Sequence, residues 1–257
     1  MIIEFYKYQG TGNDFIMIDD RENNFDVKNN QLISALCERR MGIGADGLIL
    51  LRNHQKYDFE MFYFNADGTQ SSMCGNGGRC IIDFAVTLEI IESEATFIAI
   101  DGVHKGRFLE DIVALQMQNV KKIKEIGDDF FLDTGSPHYI KMVDNLYSLN
   151  VDKEGKNIRN SDLFKNDGVN VNFVLNDNNL EVRTYERGVE SETLSCGTGA
   201  VAVALAMYYS GHIEDTDIQI ETKGGCLGVS FEEFNGIYRN IWLSGEVSMV
   251  YAGEFEC

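Results

Sequence analysis

Short apolar-rich runs bounded by turn residues dominate the chain. Three examples are Phe15–Asp19, Asp58–Phe64 and Leu180–Tyr185. Runs of this length and composition are typical of β-strands. Helical patterns are fewer, and they cover Gln31–Arg40 and the segments that follow Cys74 and Cys196. These patterns predict an α+β protein with many strands.

The chain contains an internal repeat. Cys74-Gly75-Asn76-Gly77-Gly78 matches Cys196-Gly197-Thr198-Gly199-Ala200, and an apolar, helix-like run follows each motif. Gly102 lies 28 positions after Cys74, and Gly224 lies 28 positions after Cys196. Upstream, Thr11-Gly12-Asn13 and Thr134-Gly135-Ser136 end 61 and 60 positions before their cysteines. Two copies of one unit, offset by about 122 residues, predict two domains related by a pseudo-twofold axis with a cleft between them.

Composition and charge narrow the class of protein. Of 257 residues, 44% are apolar and 25% charged, which is ordinary for a globular protein. A net charge of −19 disfavours binding to nucleic acid or to anionic membranes. No apolar run is long enough for a membrane helix, and the N-terminus lacks the pattern of a signal peptide. We therefore expect a cytoplasmic protein.

The cysteines do not form a metal-binding pattern. The six cysteines contain no Cys-x-x-Cys, and the four histidines are scattered. A disulfide scaffold is improbable in a cytoplasmic chain of this size, and no metal site is predicted.

The two Cys-Gly motifs carry the candidate chemistry. Glycines let the backbone approach a ligand closely, and the first N–H groups of a helix form an anion site. The same environment lowers the pKa of a cysteine and raises its reactivity. Ala200–Ala206 is strongly helical by propensity, and Gly211 is a predicted helix stop.

Two thiols on opposite faces of one carbon can invert its configuration. One thiolate removes the α-proton of an amino acid, and the opposite thiol returns a proton to the other face. Two helix N-termini stabilise the charge that develops on the carboxylate, so neither a metal nor another cofactor is expected. The pair must then hold one thiolate and one thiol at working pH.

The motifs resemble those of the diaminopimelate epimerase family, within the proline racemase-like superfamily of enzymes that need no pyridoxal phosphate. The motifs that carry the resemblance are Gly10-Thr11-Gly12-Asn13-Asp14-Phe15, Gly42-Ile43-Gly44-Ala45-Asp46-Gly47, Phe64-Asn65-Ala66-Asp67-Gly68, Met73-Cys74-Gly75-Asn76-Gly77, Gly135-Ser136-Pro137-His138, Asn170-Val171-Asn172-Phe173, Tyr185-Glu186-Arg187-Gly188 and Cys196-Gly197-Thr198-Gly199. The resemblance implies interconversion of LL- and meso-2,6-diaminopimelate in lysine and peptidoglycan precursor synthesis, and a homodimer.

The resemblance also implies the domain organisation. Each domain would be a mostly antiparallel strand layer wrapped around a central helix. We expect an N-terminal domain over residues 1–118 that carries Cys74 and is joined by a C-terminal strand at about 247–257. Residues 119–246 would form the domain that carries Cys196.

Roles for the site residues follow from the same resemblance. Cys74 and Cys196 would be the acid–base pair, and backbone N–H groups would bind the reacting carboxylate. Arg187 would bind the distal carboxylate as a bidentate partner. Glu186 would serve the ammonium end and adjust the pKa of a cysteine, and His138 would bias the protonation of one cysteine. The N–H donors would come from Gly75, Asn76, Gly197 and Thr198, and the remaining substrate contacts from Asn13, Asn65 and Asn170.

Two positions depart from the family pattern. Gly47 stands where many members have Gln, and Ser136 stands where Asn usually precedes Pro-His. Both changes concern substrate positioning rather than proton transfer.

Several alternatives remain open at this point. A proline or hydroxyproline racemase would share both cysteines, but it typically has His at the place of Asn76 and little use for Arg187. The other two alternatives are a non-catalytic amino-acid-binding protein and a thiol redox protein. Asx turns at Asn13 and Asn65, a surface Glu186–Arg187 ion pair and a packed His138 would be structural roles for these residues.

Overall fold

A computed structural model describes residues 2–257, which form a mixture of helices and strands with strands in the majority. Backbone contacts divide the chain into two compact units. The first unit comprises the chain up to Leu115 together with Gly245–Cys257, and the second is Gln116–Ser244. The bounds expected from the sequence, 1–118 with about 247–257 and 119–246, differ from these by a few residues.

The first unit contains two helices and most of its strands in the order β1 (Ile2–Gly10), β2 (Asn13–Asp19), α1 (Asn30–Cys37), β3 (Gly47–Arg52), β4 (Phe59–Asn65), β5 (Gln70–Ser71), α2 (Gly75–Thr87), β6 (Glu94–Ala99), β7 (Gly102–Leu109) and β8 (Ile112–Gln116). β2 pairs in parallel with β3, and β4 with β6, because a helix lies between the two strands of each pair along the chain. The pairs β1–β2, β3–β4, β6–β7 and β7–β8 are antiparallel.

The second unit repeats this order with β9 (Ile123–Ile126), β10 (Asp129–Asp133), β11 (Pro137–Met142), α3 (Val151–Arg159), β12 (Asn170–Asn176), β13 (Leu180–Glu186), β14 (Ser191–Thr193), α4 (Gly197–Tyr209), β15 (Asp217–Thr222), β16 (Gly225–Phe234) and β17 (Ile237–Glu256). Its parallel pairs are β11–β12 and β13–β15, which correspond to β2–β3 and β4–β6. The end of β17 lies in the first unit, where Val247–Glu256 pairs antiparallel with β1. The predicted α+β fold is confirmed.

A helix lies at the centre of each unit. Every residue of α4 from Gly199 to Met207 is buried, and the helix packs against β10–β13, β15 and β16. In the first unit α2 packs against β1, β2, β3 and β7. β7 approaches α2 so closely that a Cβ on Gly106 would lie 1.9 Å from the Ile82 side chain. The strand layers therefore hold the N-termini of α2 and α4 in fixed positions.

Some element ends differ from the sequence-based expectation. The helix predicted over Gln31–Arg40 ends at Cys37, because Glu38 is extended (ψ 124°) and its carboxylate accepts the N–H of Arg40. Gly102 has a positive φ at the turn between β6 and β7. In the second unit the glycine with a positive φ at the corresponding turn is Gly225, not Gly224, so the counterpart of Gly102 lies one residue later than predicted. The predicted stop of α4 is confirmed at Gly211, whose φ of 73° lies in the left-handed region.

In the described part of the chain, no helix is both long and apolar enough to cross a membrane.

Candidate active site

Both candidate cysteines cap the central helix of their unit. Cys74 precedes α2 and Cys196 precedes α4, each with extended backbone and with no side-chain capping hydrogen bond. The helical hydrogen bonds begin at once, because Gly78 N–H donates to the Cys74 carbonyl at 2.7 Å and Ala200 N–H to the Cys196 carbonyl at 2.9 Å. The N–H groups before these have no intrahelical acceptor. Each cysteine therefore lies beside a set of donors suited to a carboxylate.

The side-chain amides of Asn13 and Asn76 lie next to the Cys74 sulfur in the first unit. The Cys74 thiol donates to Asn13 Oδ1 at 3.6 Å, and Asn76 Nδ2 donates to the same oxygen at 3.4 Å. Asn13 Nδ2 donates to Asp46 Oδ2 at 2.7 Å, which fixes the orientation of the Asn13 amide. Asn13 is therefore held as the acceptor beside Cys74.

An ionised cluster anchors Asn13. Arg39 Nη2 lies 2.7 Å from both Asp14 Oδ1 and Asp46 Oδ1, and Lys7 Nζ lies 2.7 Å from Asp14 Oδ2. Burial raises the pKa of Asp14, but hydrogen bonds from Arg39 and Lys7 outweigh it and hold that pKa well below its usual range. Asp14 therefore stays ionised, and its ion pair with Arg39 keeps Asp46, the second partner of Arg39, beside Asn13.

A buried arginine lies behind this amide pair. Arg79 Nη2 donates to Asn76 Oδ1 and to Thr11 Oγ1, each at 3.1 Å. Because Asn76 Oδ1 accepts from Arg79, the other end of the Asn76 amide is directed at Asn13. Arg79 thus orients a residue of the helix N-terminus.

A chain of hydrogen bonds leads to Cys196 in the second unit. The Thr184 hydroxyl donates to Asn172 Oδ1 at 2.9 Å, so Asn172 Nδ2 donates to His138 Nδ1 at 3.0 Å. His138 must then carry its proton on Nε2, which donates to Thr198 Oγ1 at 2.9 Å. Thr198 Oγ1 lies 3.5 Å from Cys196 Sγ. His138 therefore reaches Cys196 through the Thr198 hydroxyl.

His138 is a neutral group in this position. It is fully buried, and burial together with the positive charge of Arg187 lowers its pKa from 6.5 to about 3. At working pH it donates one hydrogen bond and accepts another, and it adds no positive charge beside Cys196.

Ser136 and Asn170 organise the neighbourhood of Arg187. Asn170 Nδ2 donates to Ser136 Oγ at 2.7 Å and to the Pro137 carbonyl at 3.1 Å, and Asn170 Oδ1 accepts the Arg187 N–H at 2.8 Å. The guanidinium of Arg187 donates to the Asp167 carbonyl at 3.1 Å. In the described chain Arg187 makes no ion pair, so the expected alternative of a Glu186–Arg187 pair is wrong.

The remaining predicted residues lie at the ends of strands. Asn65 ends β4 opposite Gly47, and its N–H donates to the Thr69 carbonyl at 2.9 Å. Glu186 ends β13, where its carboxylate accepts from the Thr193 hydroxyl at 2.9 Å.

The structure explains why glycine occupies position 47. A Cβ at this position would lie 2.6 Å from the Phe64 carbonyl and 2.6 Å from the ring of Tyr63. The space that a side chain at position 47 would enter is therefore already occupied by Tyr63, and a Gln would not fit here without displacing β4.

Sequence reasoning did not assign a site role to several residues that the structure brings to the cysteines. They are Arg39, Asp46, Arg79, Asn172 and Thr184. One signal was available for Arg79, which is a charged residue within the apolar run that follows Cys74. Among residues 2–257, no group of three or more His, Cys, Asp or Glu side chains is arranged to hold a metal ion.

Comparison with known proteins identifies the family. A family model described as "Diaminopimelate epimerase" matches residues 5–108 and 130–250. The chain belongs to the diaminopimelate epimerase family. A diaminopimelate epimerase of Flavobacterium psychrophilum is 53% identical over 97% of this chain and 98% of its own length. One of Chlorobaculum tepidum is 43% identical over 95% and 98% of the two chains. The predicted family and enzyme class are confirmed.

Solved structures with low sequence identity share the fold. A Bacillus anthracis phenazine biosynthesis protein of the PhzF family gives a TM-score of 0.79 at 14% identity and covers all of both chains. A hydroxyproline epimerase from Agrobacterium vitis gives 0.71 at 13% identity and covers 98% of this chain and 92% of its own. These likenesses show the fold alone.

Proposed function

We propose that the protein interconverts LL-2,6-diaminopimelate and meso-2,6-diaminopimelate by moving the α-proton between Cys74 and Cys196, without a cofactor. The observation that carries this proposal is the repeated placement of a cysteine at the N-terminus of each central helix. Membership of the family supports the choice of substrate.

The helix N-termini would supply the stabilisation that the reaction needs. The α-carbon of an amino acid is a very weak acid, so negative charge must pass to the carboxylate in the transition state. The backbone N–H groups of Gly75, Asn76, Gly197 and Thr198 would donate to that carboxylate. Such preoriented donors typically contribute a few kcal/mol each, about 3–4 in measured cases.

The two cysteines would exchange roles according to the isomer bound. The cysteine that faces the α-hydrogen acts as thiolate base, and the other acts as thiol acid on the opposite face. Asn13 Oδ1 accepts from the Cys74 thiol, and Thr198 Oγ1 lies beside Cys196. The Cys74 S–H bond therefore has an acceptor that orients it, and the Cys196 sulfur has a hydroxyl partner that can donate or accept, which supports an acid role for each in turn.

The second amino-acid group of the substrate would be bound mainly by Arg187. Its guanidinium has no carboxylate partner in the described chain, so a substrate carboxylate could form a bidentate pair with it. Asn65, Asn170 and Glu186 would contribute further polar contacts to amine and carboxylate groups. A proline-like substrate has no second carboxylate, and this favours diaminopimelate.

We further propose that the enzyme is a cytoplasmic homodimer. Exposed apolar side chains along the β1–β17 pair support an interface, because Ile2, Met249, Val250 and Tyr251 are between 45% and 66% exposed. Light scattering on a size-exclusion column should give twice the chain mass, and a monomeric mass would contradict the dimer.

Exchange in heavy water tests the reaction. Reduced protein is incubated with LL-diaminopimelate in deuterium oxide and followed by NMR and chiral analysis. We expect deuterium at one α-carbon together with the meso isomer, because a thiol proton exchanges with solvent. Exchange with proline but not with diaminopimelate would instead indicate a racemase, and exchange with neither would leave a binding protein.

Serine variants test the roles of the cysteines. Cys74→Ser and Cys196→Ser should each lower kcat for epimerisation by about 10²–10⁴-fold, which is typical of a lost acid–base group. Cys226→Ser is the matched control, because Cys226 is exposed on β16 and should leave kcat unchanged. Full activity in either active-site variant would exclude the two-base scheme.

A further inference from the structure

Arg79 is the largest fully buried side chain of the described residues. Two of its nitrogens, Nε and Nη1, have no hydrogen-bond partner, and only Nη2 is satisfied, by Thr11 and Asn76. No carboxylate among residues 2–257 forms an ion pair with it. A buried cation without an anion is strongly unfavourable. A cation kept here at such a cost suggests a role in function.

The anion available to Arg79 is a cysteine thiolate. Burial lowers the pKa of Arg79, and the sulfurs of Cys80 and Cys74, when ionised, oppose this effect. Cys80 is fully buried, and burial raises its pKa so far that it stays a thiol. Cys74 is only half-buried and lies at the N-terminus of the same helix. The Cys74 thiolate is therefore the anion that Arg79 can stabilise.

The other titratable and charged groups that lie near α2 belong to β1, β2, β7 and α2 itself, and none of them forms an ion pair with Arg79 among the described residues. On β1 and β2, Lys7 pairs with Asp14. Burial raises the pKa of Tyr8, whose hydroxyl lies 3.2 Å from Thr87, and burial also raises the pKa of Asp83 on α2. On β7, His104 lies 3.2 Å from Asp101, while Lys105 and Arg107 are exposed. The Asp101 carboxylate also accepts a hydrogen bond from the Met73 N–H. Asp46 is linked to Cys74 through the Asn13 amide.

The second unit has no counterpart to this arginine. The residue at the corresponding place in α4, 122 positions later, is the buried Val201. His138, which reaches Cys196 through Thr198, is neutral. A buried arginine on the central helix itself is therefore a feature of the Cys74 half, whereas Arg187 of the second unit directly follows the end of a strand.

We propose that Arg79 is a positioning residue that stabilises the thiolate of Cys74 and orients Asn76 at the helix N-terminus. Asn13 Oδ1, as acceptor, favours the thiol form of Cys74, and Arg79 offsets this preference. Both protonation forms are then accessible, as an acid–base residue that works in two directions requires. This inference rests on the proposed function.

The pH dependence of alkylation tests the proposal directly. Iodoacetamide labelling of Cys74 and Cys196 is followed by mass spectrometry from pH 5 to 10. In the unaltered protein the midpoint for Cys74 should lie below the ordinary thiol value of about 8.5. In Arg79→Met it should rise by about one pH unit or more, since a nearby opposite charge typically shifts a pKa by that amount. The midpoint for Cys196 should not move.

Two further variants separate charge from folding. Arg79→Lys retains a cation and should keep the Cys74 midpoint within about half a pH unit of the unaltered protein. Arg52→Met removes another largely buried arginine of the same unit, one that is paired with Asp20 at 2.6 Å. It should lower the free energy of unfolding without moving the Cys74 midpoint.

The acid limb of the pH profile of kcat/KM should shift to higher pH in Arg79→Met. At pH 7 the kcat/KM of this variant should be at least tenfold lower than that of the unaltered protein.

An unchanged Cys74 midpoint in folded Arg79→Met would overturn the inference. A midpoint at or above 8.5 in the unaltered protein would also overturn it, and this measurement needs no variant. Alkylation requires no substrate, so these results are independent of the heavy-water experiment that tests the proposed function.

Discussion

The buried His138 should make the stability of the protein depend on pH in a predictable window. Its pKa in the folded protein is about 3, because burial and the charge of Arg187 disfavour the imidazolium. In the unfolded chain the pKa is about 6.5. Between these two values the unfolded state binds a proton that the folded state does not. The contribution of His138 to stability is therefore complete above pH 6.5 and is lost progressively as the pH falls toward 3.

The magnitude follows from the two pKa values. Each pH unit within the window changes the free energy of unfolding by about 1.4 kcal/mol per group. At pH 5 the loss that His138 causes is about 2 kcal/mol, and at pH 3 it is about 4 kcal/mol. His138→Gln removes this titration but keeps an amide that can donate to Thr198 Oγ1. The variant should therefore lose about 2 kcal/mol less than the unaltered protein between pH 7.5 and pH 5.

Urea unfolding followed by circular dichroism at pH 7.5 and pH 5.0 measures this difference. The carboxylates titrate equally in both proteins, so their contributions cancel in the comparison. His212→Gln is the control, because His212 is exposed and should leave the pH dependence unchanged. Equal losses in the unaltered protein and in His138→Gln, within about 0.5 kcal/mol, would refute a neutral His138.

Two glycine positions give further predictions. Gly47→Gln, which restores the residue common in the family, should lower the free energy of unfolding by about 1–3 kcal/mol and should not lower KM, because its Cβ would lie 2.6 Å from the Phe64 carbonyl. Thermal unfolding and steady-state kinetics check this, and a stable variant with lower KM would contradict it. Gly199→Ala would place a Cβ 2.5 Å from Asn172 Oδ1 and should displace His138 from Thr198, with a loss of kcat measured by epimerisation assay. Unchanged kcat in this variant would show that the hydrogen-bond chain to Cys196 is dispensable.

Local sequence patterns were sufficient for the elements that carry the cysteines. Glycines directly after each cysteine and an apolar run behind them predict a helix whose N-terminus meets the sulfur, and both helices begin there. The strands Phe15–Asp19 and Leu180–Tyr185 lie within β2 and β13. These predictions succeed because they depend on the nearest neighbours in the chain and on the periodicity of each element.

Side-chain networks could not be obtained in this way. Asp14 and Asp46 meet Arg39 only because β2 pairs in parallel with β3, which brings together residues 32 positions apart. The chain from Thr184 through Asn172 to His138 likewise crosses three strands, β13, β12 and β11. Residue type and spacing give no information about such pairings. The register of the sheet determines which of these side chains meet.

The register also shows how one duplicated unit acquires two different half-sites. Phe15 pairs with Gly47 in the first unit, and His138 pairs with Asn170 at the corresponding place in the second. Both copies of the repeat therefore retain a cysteine and the backbone N–H groups of a helix start. The side chains behind them differ. An ionised cluster and Arg79 lie behind Cys74, whereas neutral His138, Asn172 and Thr184 lead to Cys196. In the proposed mechanism, proton transfer at a single carbon would need similar groups on its two faces, whereas a substrate with one reacting end and one distal end would need unequal surroundings. Duplication followed by divergence of these few side chains would satisfy both requirements.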